Sequence, residues 1–108
     1  MTNETETMRD ALLTLAIPVS LEDDVLNFLL QHPEWAGGFS MVDANGMGQG
    51  ASLLSAMERV QGRARRTLVL VAGAETDLRE LVAALSQEIR NRDVAWWIAP
   101  LVAFGRLQ

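Results

Sequence analysis

The 108-residue chain contains no cysteine and no lysine, a single histidine and only three prolines. Without cysteine there are no disulfides, thiolate nucleophiles or zinc–thiolate sites, and a reducing compartment stays open to it. Without lysine there is neither Schiff-base chemistry nor a P-loop. All nine basic residues are therefore arginine, set against fourteen acidic ones, for a net charge of −5 and a pI near 4.7. Such a chain has no excess of cation with which to displace phosphate counterions, so general nucleic-acid affinity is not expected. No apolar block approaches the length of a membrane span, so direct membrane insertion is not expected either. The N-terminal MTNETETMRD is polar and acidic, the opposite of a signal or transit peptide. The expectation is a cytoplasmic protein with a disordered tail over residues 1–10 and a single domain over 11–108.

A nucleophile–base–orienter set cannot be assembled. Ser20, Ser40, Ser52, Ser55 and Ser86 have no partner motif, and His32 has no second ligand or base nearby in sequence. The reading is a non-enzyme. Glu22, Asp23 and Asp24 are what a helix dipole favours in a first turn, and His32 is a surface or C-capping residue. Met41, Met47 and Met57 lack the tight repeat of a soft-metal site, so no metal ligands are assigned.

What is present is a clear order of elements. ALLTLAI at 11–17, followed by Pro18, reads as a buried strand. Ser20 predicts an N-cap with Asp23 as its box partner, opening a helix over about 20–31 in which Leu21, Val25, Phe28 and Leu29 recur at helical spacing. FSMVDA at 39–44 reads as a second strand, and TLVLVA, closed by Gly73, as a third. Asp77 and Glu80 are the expected caps of a second helix that carries Leu78, Leu81, Val82, Leu85 and Ile89 along one stripe, with Arg90 and Arg92 near its C-terminal end. VAWWIAPLVAF at 94–104 contains Pro100 and so belongs on a sheet edge. The order βαββαβ predicts an α+β, ferredoxin-like fold: a four-stranded antiparallel sheet with both helices on one face. Strands two and four are then open edges, and the consecutive Trp96 and Trp97 point to opposite faces, which together motivate a homo-oligomer.

The segment GMGQGASLLSAMERVQGRARR, 46–66, opens on glycines and ends on arginines. Its G-x-G-x-G lacks the spacing and the following units of a dinucleotide fold, so Gly46, Gly48, Gln49, Gly50 and Gly62 read as a loop free to adopt positive φ. Leu53, Leu54, Met57 and Val60 have the spacing of a short helix within it. Arg63, Arg65 and Arg66 follow, with 63 and 65 on one strand face and 66 on the other, as fork-shaped donors for a phosphate or carboxylate. These residues are the candidate effector-binding set for a small anionic ligand. The alternatives stay open: a plain connection for the glycines, and ion pairs with the surplus carboxylates for the arginines.

The ordered set EDDVLNFLL, WAGGFS, MERVQGRARR and WWIAPLVAFGRL resembles the PII-like proteins, and within them a small branch of unknown function whose genes lie beside heavy-metal efflux systems. That resemblance implies a homotrimer with its sheets facing inward, a T-loop at about 45–62, and a ligand such as a nucleotide in the clefts between subunits. It implies a regulatory role toward a membrane transporter. A metal-binding accessory protein and an effector-free structural adaptor are the other functions considered. Histidines occur in the loop of such relatives, whereas residues 46–50 here read Gly-Met-Gly-Gln-Gly.

Overall fold

In the computed structural model residues 8–46 and 64–108 are described. The element order is β1 (Ala11–Pro18), a 3-10 turn (Val19–Leu21), α1 (Glu22–Leu30), β2 (Ser40–Gly46), β3 (Ala64–Gly73), α2 (Glu75–Glu88) and β4 (Ala95–Pro100). The strands form one antiparallel sheet in the order β2-β3-β1-β4. This is the expected α+β, ferredoxin-like arrangement, with β2 and β4 at the edges. Pro100 is the last residue of an edge strand, where its missing N–H costs no ladder bond.

The alternation of β1 decides which face is which. Leu13, Leu15 and Ile17 are fully buried and sit opposite Val71, Val69 and Thr67 of β3. Val25, Phe28 and Leu29 of α1 and Leu78, Leu81 and Leu85 of α2 complete the same core. Both helices therefore cover one face. Gly73 ends β3 directly ahead of α2, and a Cβ there would make ordinary contact with Leu78 Cδ2 at 3.4 Å.

The helix starts differ from expectation. Ser20 lies inside the 3-10 turn and makes no capping bond; α1 starts at Glu22 behind Leu21, so the first turn relies on Glu22, Asp23 and Asp24 and their fit to the dipole. Pro18, extended at φ −61° and ψ 146°, is the N-cap of that turn, which places Ser20 inside it. Nor do Asp77 and Glu80 cap α2. Its N-cap is Ala74, and the free N–H of Glu75 is taken at 3.0 Å by Oδ1 of Asp10, sixty-five residues earlier. Asp10 also accepts the Leu101 N–H on its own carbonyl, at 3.0 Å. One residue thus joins the entry of β1, the start of α2 and the exit of β4. Beside it Phe104 has the Arg9 guanidinium 4.6 Å from its ring centre and that of Arg106 at 5.9 Å.

Asp10→Ala is expected to lower stability by about 0.5–2 kcal/mol, the usual cost of a lost N-cap. Ser20→Ala should change it by no more than a few tenths. Chemical denaturation of the two variants checks the pair, and equal effects would show that Asp10 is not the functional cap.

Candidate functional site

The candidate effector residues meet the structure at the mouth of the β2–β3 connection. Gly46 is the last residue of β2, opposite Ala64, and not yet part of a loop. Gly48, Gln49, Gly50, Gly62 and Arg63, and the short helix expected at 53–60, lie outside the described residues. Arg65 is exposed on the helix-covered side, opposite Asn45, with Asp43 diagonal to it. Arg66 is opposite Ala44 and Pro18 on the other side of the sheet, and it is buried. The two arginines are thus parted by the sheet, as their alternation predicts, and cannot both serve one pocket of one chain.

Behind Arg65 the polar groups are already engaged. Thr67, fully buried, donates its hydroxyl to Glu22 Oε2 in a hydrogen bond that ties β3 to the first turn of α1. This bond satisfies the one buried hydroxyl on the core side of β3 and fixes the helix start relative to the loop mouth.

A cavity of about 420 Å³ opens at the same end of the sheet, across β1 from Arg65. Leu15 and Val25 form its floor, Leu85, Ile89 and Trp96 its apolar walls, and Arg90 and Arg92 stand at its rim. Asn91 shapes that rim: its side chain accepts the Asp93 N–H at 2.8 Å and its carbonyl the Val94 N–H at 3.1 Å, closing the turn between α2 and β4. Trp96 is 47% exposed. Volume, an aromatic wall and two exposed guanidinium groups suit a small molecule with a flat apolar body and an anionic end. A second cavity of about 240 Å³ lies between the two helices, but Asp24 and Glu88 line it and disfavour an anion. Sequence reasoning missed Arg90, Arg92 and Trp96 as site residues. The arginines were assigned to the dipole of α2, yet α2 ends at Glu88, which leaves both in the following turn. A cationic i, i+2 pair in a turn next to a tryptophan strand was the available signal.

His32 is no ligand. Its ring stacks at 4.9 Å on Trp35 and lies 4.5 Å from Phe28, and Nδ1 is 3.0 Å from Glu34 Oε2. That hydrogen bond is the main cause that holds the exposed Glu34 carboxyl below its ordinary range. Among the described residues no group of three or more histidine, aspartate or glutamate side chains could hold a metal ion, and no helix is long and apolar enough to cross a membrane.

A depressed carboxyl favours the fold above the unfolded-state value and loses that contribution as the pH falls through the folded one. In a pH titration followed by NMR, Glu34 should titrate below an ordinary glutamate in the wild type and return toward the ordinary value in His32→Phe. An unchanged midpoint in the variant would show that the histidine is not the cause.

Residues 7–108 match the family model described as "Protein of unknown function (DUF3240)", and the chain belongs to that family. No curated protein matches it in sequence. Among solved structures, a DUF3240 family protein from Shewanella baltica OS155 is similar with a TM-score of 0.73 and 20% identity, over 94% of this chain and 100% of that one. CPII from Thiomonas intermedia K12, a nitrogen regulatory PII-like protein bound to ADP, AMP and bicarbonate, is similar at 0.66 with 12% identity, over 94% and 98% of the two chains. CutA from Synechococcus elongatus PCC7942, complexed with Bis-Tris, gives 0.65 with 15% identity over 93% and 88%. The fold is shared with PII-like and CutA proteins.

Proposed function

We propose that this DUF3240 family member is a PII-like regulatory protein, not an enzyme. In this reading copies of the chain associate, most simply as a homotrimer, through the sheet face opposite the helices. A small anionic effector of the nucleotide class is held in the cleft at the subunit boundary. Occupancy is passed to a partner through the segment between β2 and β3, the partner being the transporter of a metal-efflux system that the sequence resemblance implies.

The observation that carries the reading is the cleft beside Trp96 with Arg90 and Arg92 at its rim. Its place at the sheet end that also bears Gly46 and Arg65 supports a link between ligand and connection, since Ala95 of β4 is opposite Ala16, and Pro18 is opposite Arg66. The binding of ADP and AMP by the Thiomonas protein, which has the same fold, supports the ligand class. The exposed Trp97 and Val42 on the face opposite the helices support association, because apolar groups of that size favour burial. The metal-carrier and adaptor functions have no described residue cluster in their favour.

Thermal shift and calorimetry with ATP, ADP and AMP test the reading. A nucleotide at one hundred times its dissociation constant should add about 2.7 kcal/mol of stability. Arg90→Ala or Arg92→Ala should weaken binding by about 1.5–3 kcal/mol, the range for hydrogen bonds to charged groups, and leave the melting temperature without ligand nearly unchanged. Arg65→Ala, the variant that sequence reasoning favoured, should weaken it by the same amount only if the neighbouring copy brings its loop mouth to the cleft. Flat titrations with all three nucleotides would sink the effector reading.

A further inference from the structure

We infer that residues 102–108, the segment after β4, form an arm that pairs as an added strand with the open edge of β2 in a second copy of the chain. This rests on the proposal that copies associate. The Leu101 N–H still bonds to the Asp10 carbonyl, but among the described residues no later backbone group has a partner. Val102 and Leu107 are as accessible as in an unfolded chain, at 104% and 103%, and Phe104 keeps 45%. Burying such side chains is favourable, and a partner strand does so while it replaces the water on the free N–H and C=O groups. The Arg9 guanidinium over the Phe104 ring holds the root of the arm, so less freedom is lost on docking.

The arm does not return to its own sheet. In the order β2-β3-β1-β4 the chain's own β2 lies three strand spacings from β4, roughly 14 Å, and full exposure of Val102 and Leu107 shows that they do not cross it. A second copy presents two edges. That of β4 is uncharged and includes Pro100, which has no N–H to give. That of β2 has no strand beyond it among the described residues, and Val42 and Asp43 on it are exposed. The side chains select β2 and also the direction. Antiparallel pairing that sets Arg106 opposite Asp43 sets Leu107 opposite Val42 at the same time, so an ion pair and an apolar pair form in one register. Parallel pairing on the same charges would leave Val42 opposite Gly105. Among the described residues neither Asp43 nor Arg106 is in an ion pair, although Arg65 stands diagonal to Asp43. Because the arm leaves from the β4 side and docks on the opposite edge, every copy gives one arm and receives one. Repeated around a rotation axis, this contact closes a ring and leaves no β2 edge free.

The experiment measures mass by light scattering and sedimentation across protein concentration. Leu107→Asp should raise the concentration at half-assembly by about tenfold or more, since it removes a buried leucine from every contact. Asp43→Arg should also raise it, by placing like charges opposite one another, and adding Arg106→Asp to that variant should bring assembly back toward the wild type. All three positions are exposed, and circular dichroism and melting confirm that the variants fold. The chain has no cysteine of its own, so Val42→Cys and Leu107→Cys on separate copies, mixed and mildly oxidised, should form a disulfide between the two variants. An assembled wild type with no such mixed disulfide, or a charge exchange that fails to restore assembly, overturns the inference and leaves subunit association intact. A wild type that stays monomeric at every concentration removes the association reading and the inference with it. Assembly that appears only when a different protein is added would also overturn the inference.

Discussion

The structure depends on β1 being paired on both sides while both helices pack on one of its faces. Its bonds to β3 and to β4 make it a central strand, and the two-residue period then assigns every position on it to the core or to the face opposite the helices. Leu13, Leu15 and Ile17 take the core and draw both helices to that side. Leu12, Thr14 and Ala16 are left on the other. A one-residue slip would exchange these sets, so the register that builds the core also sets what stands on the face opposite the helices. Asp10, just ahead of the strand, fixes the register at one end by holding α2 and the exit of β4, and Pro18 fixes it at the other.

Function follows from where that frame leaves the arginines. With lysine absent, every fixed cation is a planar fork, suited to bidentate oxyanions and poorly replaced by a point charge. Arg65 stands in a polar setting at the loop mouth, Arg66 is buried among apolar side chains, and Arg90 and Arg92 are exposed beside a tryptophan. The same side chain thus faces three different dielectric settings. The strength of an anion contact rises as water is excluded, so Arg66 carries the least hydrated charge, and the exposed Arg65, Arg90 and Arg92 gain strength only where a ligand or a neighbouring copy displaces water.

Much of this was legible in the sequence where the signal is periodic. The βαββαβ order, the edge position of Pro100, the opposed Trp96 and Trp97 and the stripe from Leu78 to Leu85 all follow from spacing alone, and the structure agrees with each. The helix starts were not legible. A cap is a matter of a single side chain reaching a single N–H, and at α2 that side chain belongs to Asp10, too distant in sequence for any local pattern to find. The cleft was missed for a related reason: Arg90 and Arg92 satisfy a dipole argument if α2 is extended by one turn, and only the true end at Glu88 releases them. The split of Arg65 from Arg66 was visible, but the burial of Arg66 was not, because burial is set by tertiary surroundings that alternation along one strand does not contain.

Trp96 and Trp97 bring the cleft and the proposed subunit surface within one peptide of each other. Trp96 is opposite Leu15 and faces the cleft; Trp97, 48% exposed, is opposite Thr14 on the face opposite the helices. β4 is held by a ladder on one side only, so shifting it disturbs fewer backbone bonds than shifting β1 or β3 would. A ligand that packs on Trp96 therefore pushes on a strand whose reverse side is the proposed subunit surface, and the displacement needs no relay through the core. Close packing makes such a strand respond in discrete steps. In the proposed reading, effector occupancy and subunit contact are then coupled through β4 itself, and by reciprocity assembly must raise the affinity of the cleft by the factor with which the effector strengthens the assembly.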